Sequence, residues 1–294
     1  MPITTFRAPN LITSRPAHGA THQLARTNPA LIEIDELTFA YDAKRTILER
    51  VSLSFPRGKV TTILGSSGCG KTTLLRLIAG VHAAAAGRIV IDGQVLNVAD
   101  RAHLQRHRRR LGVLFQYGAL FTDLSVFDNV AFPLREHTSL PEAMIRDVVL
   151  MKLNAVGLRG TAGMRIDEVS GGMARRIALA RAIALDPSLI MYDEPFSGLD
   201  GISVGVIARL IRRLNDATGA TSLMVSHDVA ASLAISHHVI LLAAQGRVVA
   251  QGTPADLMAR TDPETREFLD GEAGDLRRFH YPAPALADDF GVAR

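Results

Sequence analysis

The sequence predicts an α/β fold in which a parallel β-sheet is covered by helices on both faces. Three observations carry that expectation. Short apolar, β-branched runs alternate with longer helical stretches, a glycine-rich turn joins one such run directly to a helix, and a later run ends in two adjacent acids.

The first thirty residues stand apart. They hold Pro2, Pro9, Pro16 and Pro29, little apolar periodicity and no acid before Glu33, and they read as a disordered tail. Three arginines without acids give a faint likeness to an organelle transit peptide, without the amphipathic stripe such a peptide carries. From Leu31 the texture changes. Leu31–Ile34, Leu37–Phe39 and Val51–Phe55 alternate as half-buried strands. Lys59–Leu64 reads as a buried strand, followed at once by the glycine-rich turn and a helix beginning near Lys71. Arg88–Asp92 and Leu111–Phe115 are further strands. The densest basic run, Arg106–Arg110, reads as a solvated face at a strand entrance rather than a nucleic-acid patch. Residues 118–168 lose the strand pattern and read as helices, notably Pro141–Ala155. The alternation then resumes with a strand at Leu189–Tyr192, a helix near Ile202–Ala217, and strands at Ser222–Val225 and Val239–Leu242. Residues after Pro263 form a less regular extension with spaced anchors at Phe268, Leu269, Phe279, Tyr281 and Phe290. Such anchors suit a segment lying in a groove on a neighbour.

Composition narrows the class. Of 294 residues, 47% are apolar and 21% charged, which is ordinary for a globular protein. The formal charge of +4 fits a surface near anionic lipid or phosphates and is far from that of a nucleic-acid arm. Cys69 is the one cysteine, so no internal disulfide forms. No stretch reaches the ~20 apolar residues of a membrane span. Any membrane role must come through a partner.

Gly65-Ser66-Ser67-Gly68-Cys69-Gly70-Lys71-Thr72-Thr73 fits the pattern of a phosphate-binding loop between a strand and a helix. Its glycines let backbone N–H groups turn inward on phosphate oxygens, and the helix N-terminus adds partial positive charge. Lys71 can reach the β- and γ-phosphates, and the Thr72 hydroxyl can bind Mg²⁺. Cys69 contributes its backbone, with a thiol open to alkylation. The strand ending at Asp193 supplies a carboxylate for the same ion, and Glu194 is placed to deprotonate an attacking water. Ser170-Gly171-Gly172, ahead of the helix Ala174–Leu185, forms a second helix-terminus anion site. One triphosphate is already satisfied by the first site. The second is explained if it closes over ATP bound to another subunit. Gln116 can touch Mg²⁺ or the lytic water, His227 the γ-phosphate, and Tyr41 can stack on adenine, with an ordinary surface or core role as its alternative.

In this order, phosphate loop, Gln116, Ser170-Gly171-Gly172-Met173, Asp193-Glu194, Ser197-Gly198-Leu199-Asp200 and His227 resemble the ATPases of ABC transporters over residues 31–260. The stretches 114–138 and 170–195, with Met173 where most families have Gln, are similar to ATP-binding subunits of bacterial MCE-type phospholipid transport systems. That resemblance implies a P-loop NTPase fold with a parallel core sheet, an antiparallel N-terminal β-subdomain and a helical insertion at about 118–180. It implies ATP and Mg²⁺ as ligands, with Asp200 in the loop that follows Glu194. It also implies a head-to-tail homodimer that sandwiches ATP and docks on an integral membrane permease. An MCE lipid-binding protein and a STAS-domain protein are further implied partners. The setting would be the cytoplasmic face of the inner membrane, and residues 261–294 would serve assembly. Gly201, where proline is usual, would loosen its turn. Another transported substrate, or a non-transport ABC ATPase, remains the alternative. Against ATPases of DNA repair or chromosome structure stands the lack of a long coiled-coil or zinc insertion between phosphate loop and signature. Translation-factor relatives carry two cassettes, and this chain has one.

Overall fold

The structure, a computed structural model, describes residues 30–42 and 45–270. The tail expected over residues 1–30 lies outside these but for Ala30, as do Phe279, Tyr281 and Phe290 of the C-terminal extension.

Strands β1 (Ala30–Asp42) and β2 (Arg45–Pro56) pair antiparallel, and β4 (Ala86–Ile91) and β5 (Gln94–Val95) extend them into a four-stranded sheet ordered β2-β1-β4-β5. The second sheet holds β3 (Val60–Gly65), β6 (Leu111–Leu114), β7 (Leu189–Asp193), β8 (Thr221–Ser226), β9 (His238–Leu242) and β10 (Val248–Gly252). Its order is β10-β9-β3-β8-β7-β6, parallel throughout except for the β9–β10 edge. Both faces of this sheet are buried, which is why its strands are apolar on both sides rather than alternating with polar residues. Leu189, Met191, Leu223 and Val225 pack towards the antiparallel sheet and α1 (Lys71–Ile78). Ile190, Tyr192 and Met224 pack the opposite way, against the helical layer.

That layer contains α3 (Val126–His137), α4 (Glu142–Ala155), α5 (Gly171–Ala182) and α6 (Gly201–Thr218). The helical insertion expected near residues 118–180 is α3 to α5. The backbone of Val126 donates to the Met164 carbonyl and that of Phe127 to Ala162, so a returning loop is stitched to the start of α3. Fully buried Asn129 holds the segment before it. Its Oδ1 accepts from the Phe121 N–H at 2.9 Å, while its Nδ2 donates to the carbonyls of Phe121 and Ser125, both at 3.0 Å.

Arg106–Arg110 keeps four exposed arginines directly before β6, as expected, and most of it lies in a helix, α2 (Arg101–Arg109). Two of its side chains cover the end of α1. His107 is buried and its Nε2 meets the Ile78 carbonyl at 2.8 Å, while Arg108 Nη2 donates to the Gly80 carbonyl at 2.8 Å. These groups satisfy carbonyls that a helix C-terminus leaves open, and burial holds the His107 pKa below its ordinary value. The C-terminal extension also begins regularly. Short helices α7 (Val229–Ile235) and α8 (Pro254–Met258) are followed by α9 (Pro263–Asp270), whose Phe268 and Leu269 pack on Leu64, Val239, Leu241, Ala250 and Leu257 of the same chain. These two anchors pack partly on their own chain.

Asn129→Ala strips three bonds and leaves polar backbone of the 121–125 turn unpaired. A loss of about 1–3 kcal/mol is expected, measured by urea denaturation. An unchanged midpoint would show that the turn is satisfied by other means.

Candidate functional site

β3 ends at Gly65 and α1 begins at Lys71, and the loop between them follows from two crowded glycines. A Cβ on Gly65 would collide with the Leu242 carbonyl of β9. Gly70 has φ +104, and a Cβ there would lie 2.6 Å from Leu48 Cδ2. No other residue fits either place without displacing a neighbour. Gly70 is also the N-cap of α1, and no side chain caps it. The first N–H groups of that helix are therefore left for an anion. Lys71 Nζ donates to the carbonyls of Gly65 at 2.7 Å and Ser66 at 3.1 Å, so a cation sits on the rim of the same loop. Ser66, Ser67 and Gly68 form its exposed outer side. The loop thus combines an uncapped helix N-terminus with a cation, the two features a polyphosphate requires.

Cys69 departs from expectation. Its side chain is 2% exposed and packs in the core beneath the loop, and burial raises the pKa of its thiol. Only its backbone belongs to the loop, and the thiol is not open to alkylation.

The parallel register brings the remaining groups alongside. Leu64 pairs with Ser226 and Asp193 with Val225, so β3, β7 and β8 end together. Thr72 Oγ1 donates to Asp193 Oδ1 at 3.0 Å. A hydroxyl and a carboxylate are hard oxygen donors, and Mg²⁺ is commonly held by one or two such groups plus substrate phosphates. Burial raises the Asp193 pKa, opposed by Thr72, Arg76 and Lys71, so this carboxyl takes up a proton at higher pH than an exposed aspartate.

Glu194 follows with φ +48, a conformation that side chains other than glycine rarely adopt. Its N–H is tied to the Val225 carbonyl at 3.0 Å. The carboxylate Oε2 lies 2.8 Å from His227 Nδ1 and accepts the His227 N–H at 3.2 Å. Glu194 is largely covered, with 13% of its side chain exposed, and His227 is open at 68%. A carboxylate so placed suits a proton acceptor whose orientation is set by the histidine.

Tyr41, half exposed at 50%, stands edge-on to Phe39 at 4.9 Å and to His82 at 5.4 Å. Its hydroxyl lies 3.3 Å from Thr73 Oγ1 and so joins the flat surface to the phosphate helix. His82 was not foreseen. Nothing in a lone histidine beyond α1 marks it as a ring partner.

The second glycine helix sits apart from this cluster. Ser170 is exposed and caps α5, its Oγ accepting the Met173 N–H at 3.3 Å. Gly171 is exposed beside it, and a Cβ on Gly172 would lie 3.0 Å from Ser203 Oγ of α6. Asp200 caps α6, accepting Ser203 N–H at 3.0 Å and Ser203 Oγ–H at 2.6 Å, which holds its carboxyl below the usual pKa range. That cap spans Gly201, the residue where proline is usual. Gln116 lies in a turn after β6, and its carbonyl accepts from Arg175 Nη1. The structure thus joins residues 65–73, Asp193, Glu194, His227 and Tyr41 into one cluster. Ser170–Gly172 and Asp200 form a second exposed site on the same chain.

Known proteins resemble this chain in sequence and in fold. A sequence profile described as ABC transporter matches residues 48–197. The intermembrane phospholipid transport system ATP-binding protein MlaF of Haemophilus influenzae is 54% identical over 256 residues, covering 87% of this chain and 96% of its own. CbiO1 from Clostridium perfringens, part of an ABC transporter complex, superposes with a TM-score of 0.74 at 28% identity over 86% of this chain and 98% of its own. MJ0796, a bacterial ABC transporter cassette solved as a dimer, gives 0.69 at 29% identity over 76% and 98%.

Native protein is expected to resist maleimide at Cys69, with one adduct by mass spectrometry after denaturation. Rapid labelling of the folded chain would show the thiol to be accessible after all.

Proposed function

This chain belongs to the ABC transporter ATP-binding family, and we propose that it hydrolyses ATP to drive phospholipid movement between inner and outer membranes. The observation that carries this is the pair of unlike helix termini. The N-terminus of α1 is uncapped and flanked by Lys71, Thr72, Asp193, Glu194 and His227, while that of α5 is exposed and closed by Ser170. A triphosphate held on the first leaves the second free to close over the nucleotide of another copy. Two copies arranged head to tail complete two sites, and MJ0796 was solved as a dimer. The lipid cargo rests on the similarity to MlaF, whose name states phospholipid transport.

In each site the amides of α1 and Lys71 bind the triphosphate, and Tyr41 receives the adenine. Thr72 and Asp193 would hold Mg²⁺, which would offset charge on the phosphate oxygens, and Gln116 is the residue whose side chain could reach the ion or the water. Glu194 takes the proton of the attacking water, and His227 keeps the carboxylate aimed. Among the described residues no helix is long and apolar enough to cross a membrane. In this reading, which rests on the similarity to MlaF, transport runs through an integral permease on whose cytoplasmic face the dimer rests, with an MCE lipid-binding protein and a STAS-domain protein completing the assembly.

Glu194→Gln keeps the shape and hydrogen bonding of the side chain but removes the base. ATP binding should persist while hydrolysis in the assembled complex falls by roughly 10²–10⁴. Wild-type turnover in that variant would overturn the assignment.

Ser170→Arg tests the shared site. The monomer should still bind ATP but fail to hydrolyse it, and mixing with Lys71→Ala protein should restore one working site per heterodimer. No recovery in a heterodimer shown to form by size-exclusion chromatography would count against sharing. Co-purified lipids, identified by mass spectrometry, test the cargo.

A further inference from the structure

Arg175 is a buried cation that none of the steps above uses. It lies in the second turn of α5 and is 6% exposed. Its guanidinium reaches three backbone carbonyls from two separate segments. Nη1 donates to Phe115 at 3.1 Å and to Gln116, and Nη2 donates to Ser197 at 3.0 Å. Among the described residues it forms no ion pair, so the charge is accommodated by carbonyl dipoles alone, and burial lowers its pKa. A desolvated cation is costly unless its donors are met, and a planar fork can meet divergent acceptors that one ammonium cannot.

The other two arginines of α5 do less. Arg181 Nη2 donates to the Gly118 carbonyl at 2.7 Å, with its guanidinium over the Phe121 ring at 5.6 Å, and so grips the Gln116 turn only. Arg176 donates to Gly172 at 3.4 Å and Val156 at 3.3 Å, staying within the helical insertion. Arg175 alone of the three holds both the Gln116 turn and the loop that leads from Glu194 to Asp200.

We propose that Arg175 is a positioning residue that locks the Gln116 turn, the Ser170-capped helix and the Ser197–Asp200 loop into one body. The face of a subunit that closes on its own nucleotide then moves with the face that closes on its partner's. This rests on the two-copy reading above and extends it, because it makes occupancy of one site favour closure of the other.

In the assembled complex, hydrolysis by the wild type should be sigmoidal in ATP. Arg175→Lys and Arg175→Gln should bind ATP as monomers within about twofold of wild type, while kcat falls about tenfold for the lost ties. Their Hill coefficient should fall to about 1. Arg181→Lys, which loosens the Gln116 turn but leaves Ser197 held, should lower kcat and stay sigmoidal. A merely structural role would lower the melting temperature and rate together and leave the sigmoid intact, and that result overturns the inference. Hydrogen exchange in the wild type needs no substitution. Amides at 116–118 and 197–200 should become protected by Mg-ATP with one midpoint, and two distinct midpoints overturn the proposal even if the variants do not fold. A wild type that neither dimerises with ATP nor shows a sigmoid would instead defeat the two-copy reading itself.

Discussion

Everything at the nucleotide cluster depends on the register of three parallel strands. Leu64 opposite Ser226 and Asp193 opposite Val225 set the ends of β3, β8 and β7 level. The phosphate loop, the Asp193-Glu194 pair and His227 leave those ends directly, with no intervening residues to absorb an error. A slip of one residue would turn Ile190 and Tyr192 out of the helical layer and Leu189 and Met191 into it, disturbing both cores at once. The chemistry therefore inherits its accuracy from apolar packing. The Thr72–Asp193 hydrogen bond then closes the gap between the ends of β3 and β7.

The two glycine-rich helix starts show how small differences in capping divide the work. α1 begins at a glycine with no capping side chain, so its amides have no internal partner and the site is incomplete without an anion. α5 begins at a serine whose oxygen already accepts one amide, leaving its hydroxyl proton to be donated elsewhere. The first arrangement is suited to a polyphosphate held from within the loop. The second offers a smaller and more exposed contact, suited to touching one edge of a ligand already bound by another copy.

Much of this was legible in the sequence because it depends on local pattern. The buried strands ending at Gly65 and Asp193 are short apolar runs, and the phosphate loop has fixed glycine spacing, so fold and ligand class followed together. What escaped depends on contacts distant in sequence. The nine residues of α2 are too polar to show an apolar stripe, and their role is to meet the carbonyls at the end of α1. The burial of Cys69 follows from the packing of two sheets over the loop, which no loop motif encodes. α9 is amphipathic but short, and only the patch formed by β9, β10 and α8 shows where Phe268 and Leu269 settle. Arg175 did leave a signal. Three arginines in the helix 171–182, with no acid among its residues, must find acceptors elsewhere, and backbone carbonyls are an available choice, though the sequence does not mark which of the three is buried.

The strained pose of Glu194 depends on β8 and the residue that follows it. A non-glycine residue at φ +48 costs on the order of 1–3 kcal/mol, so the pose persists only while something opposes relaxation. Two restraints do so, and both come from one short segment: the Val225 carbonyl takes the Glu194 N–H, and His227 holds its carboxylate through a ring nitrogen and its own N–H. β8 also pairs directly with β3, which carries the phosphate loop. His227 is open to solvent whereas Glu194 is nearly covered, so the restraint on the carboxylate is itself the exposed member of the pair.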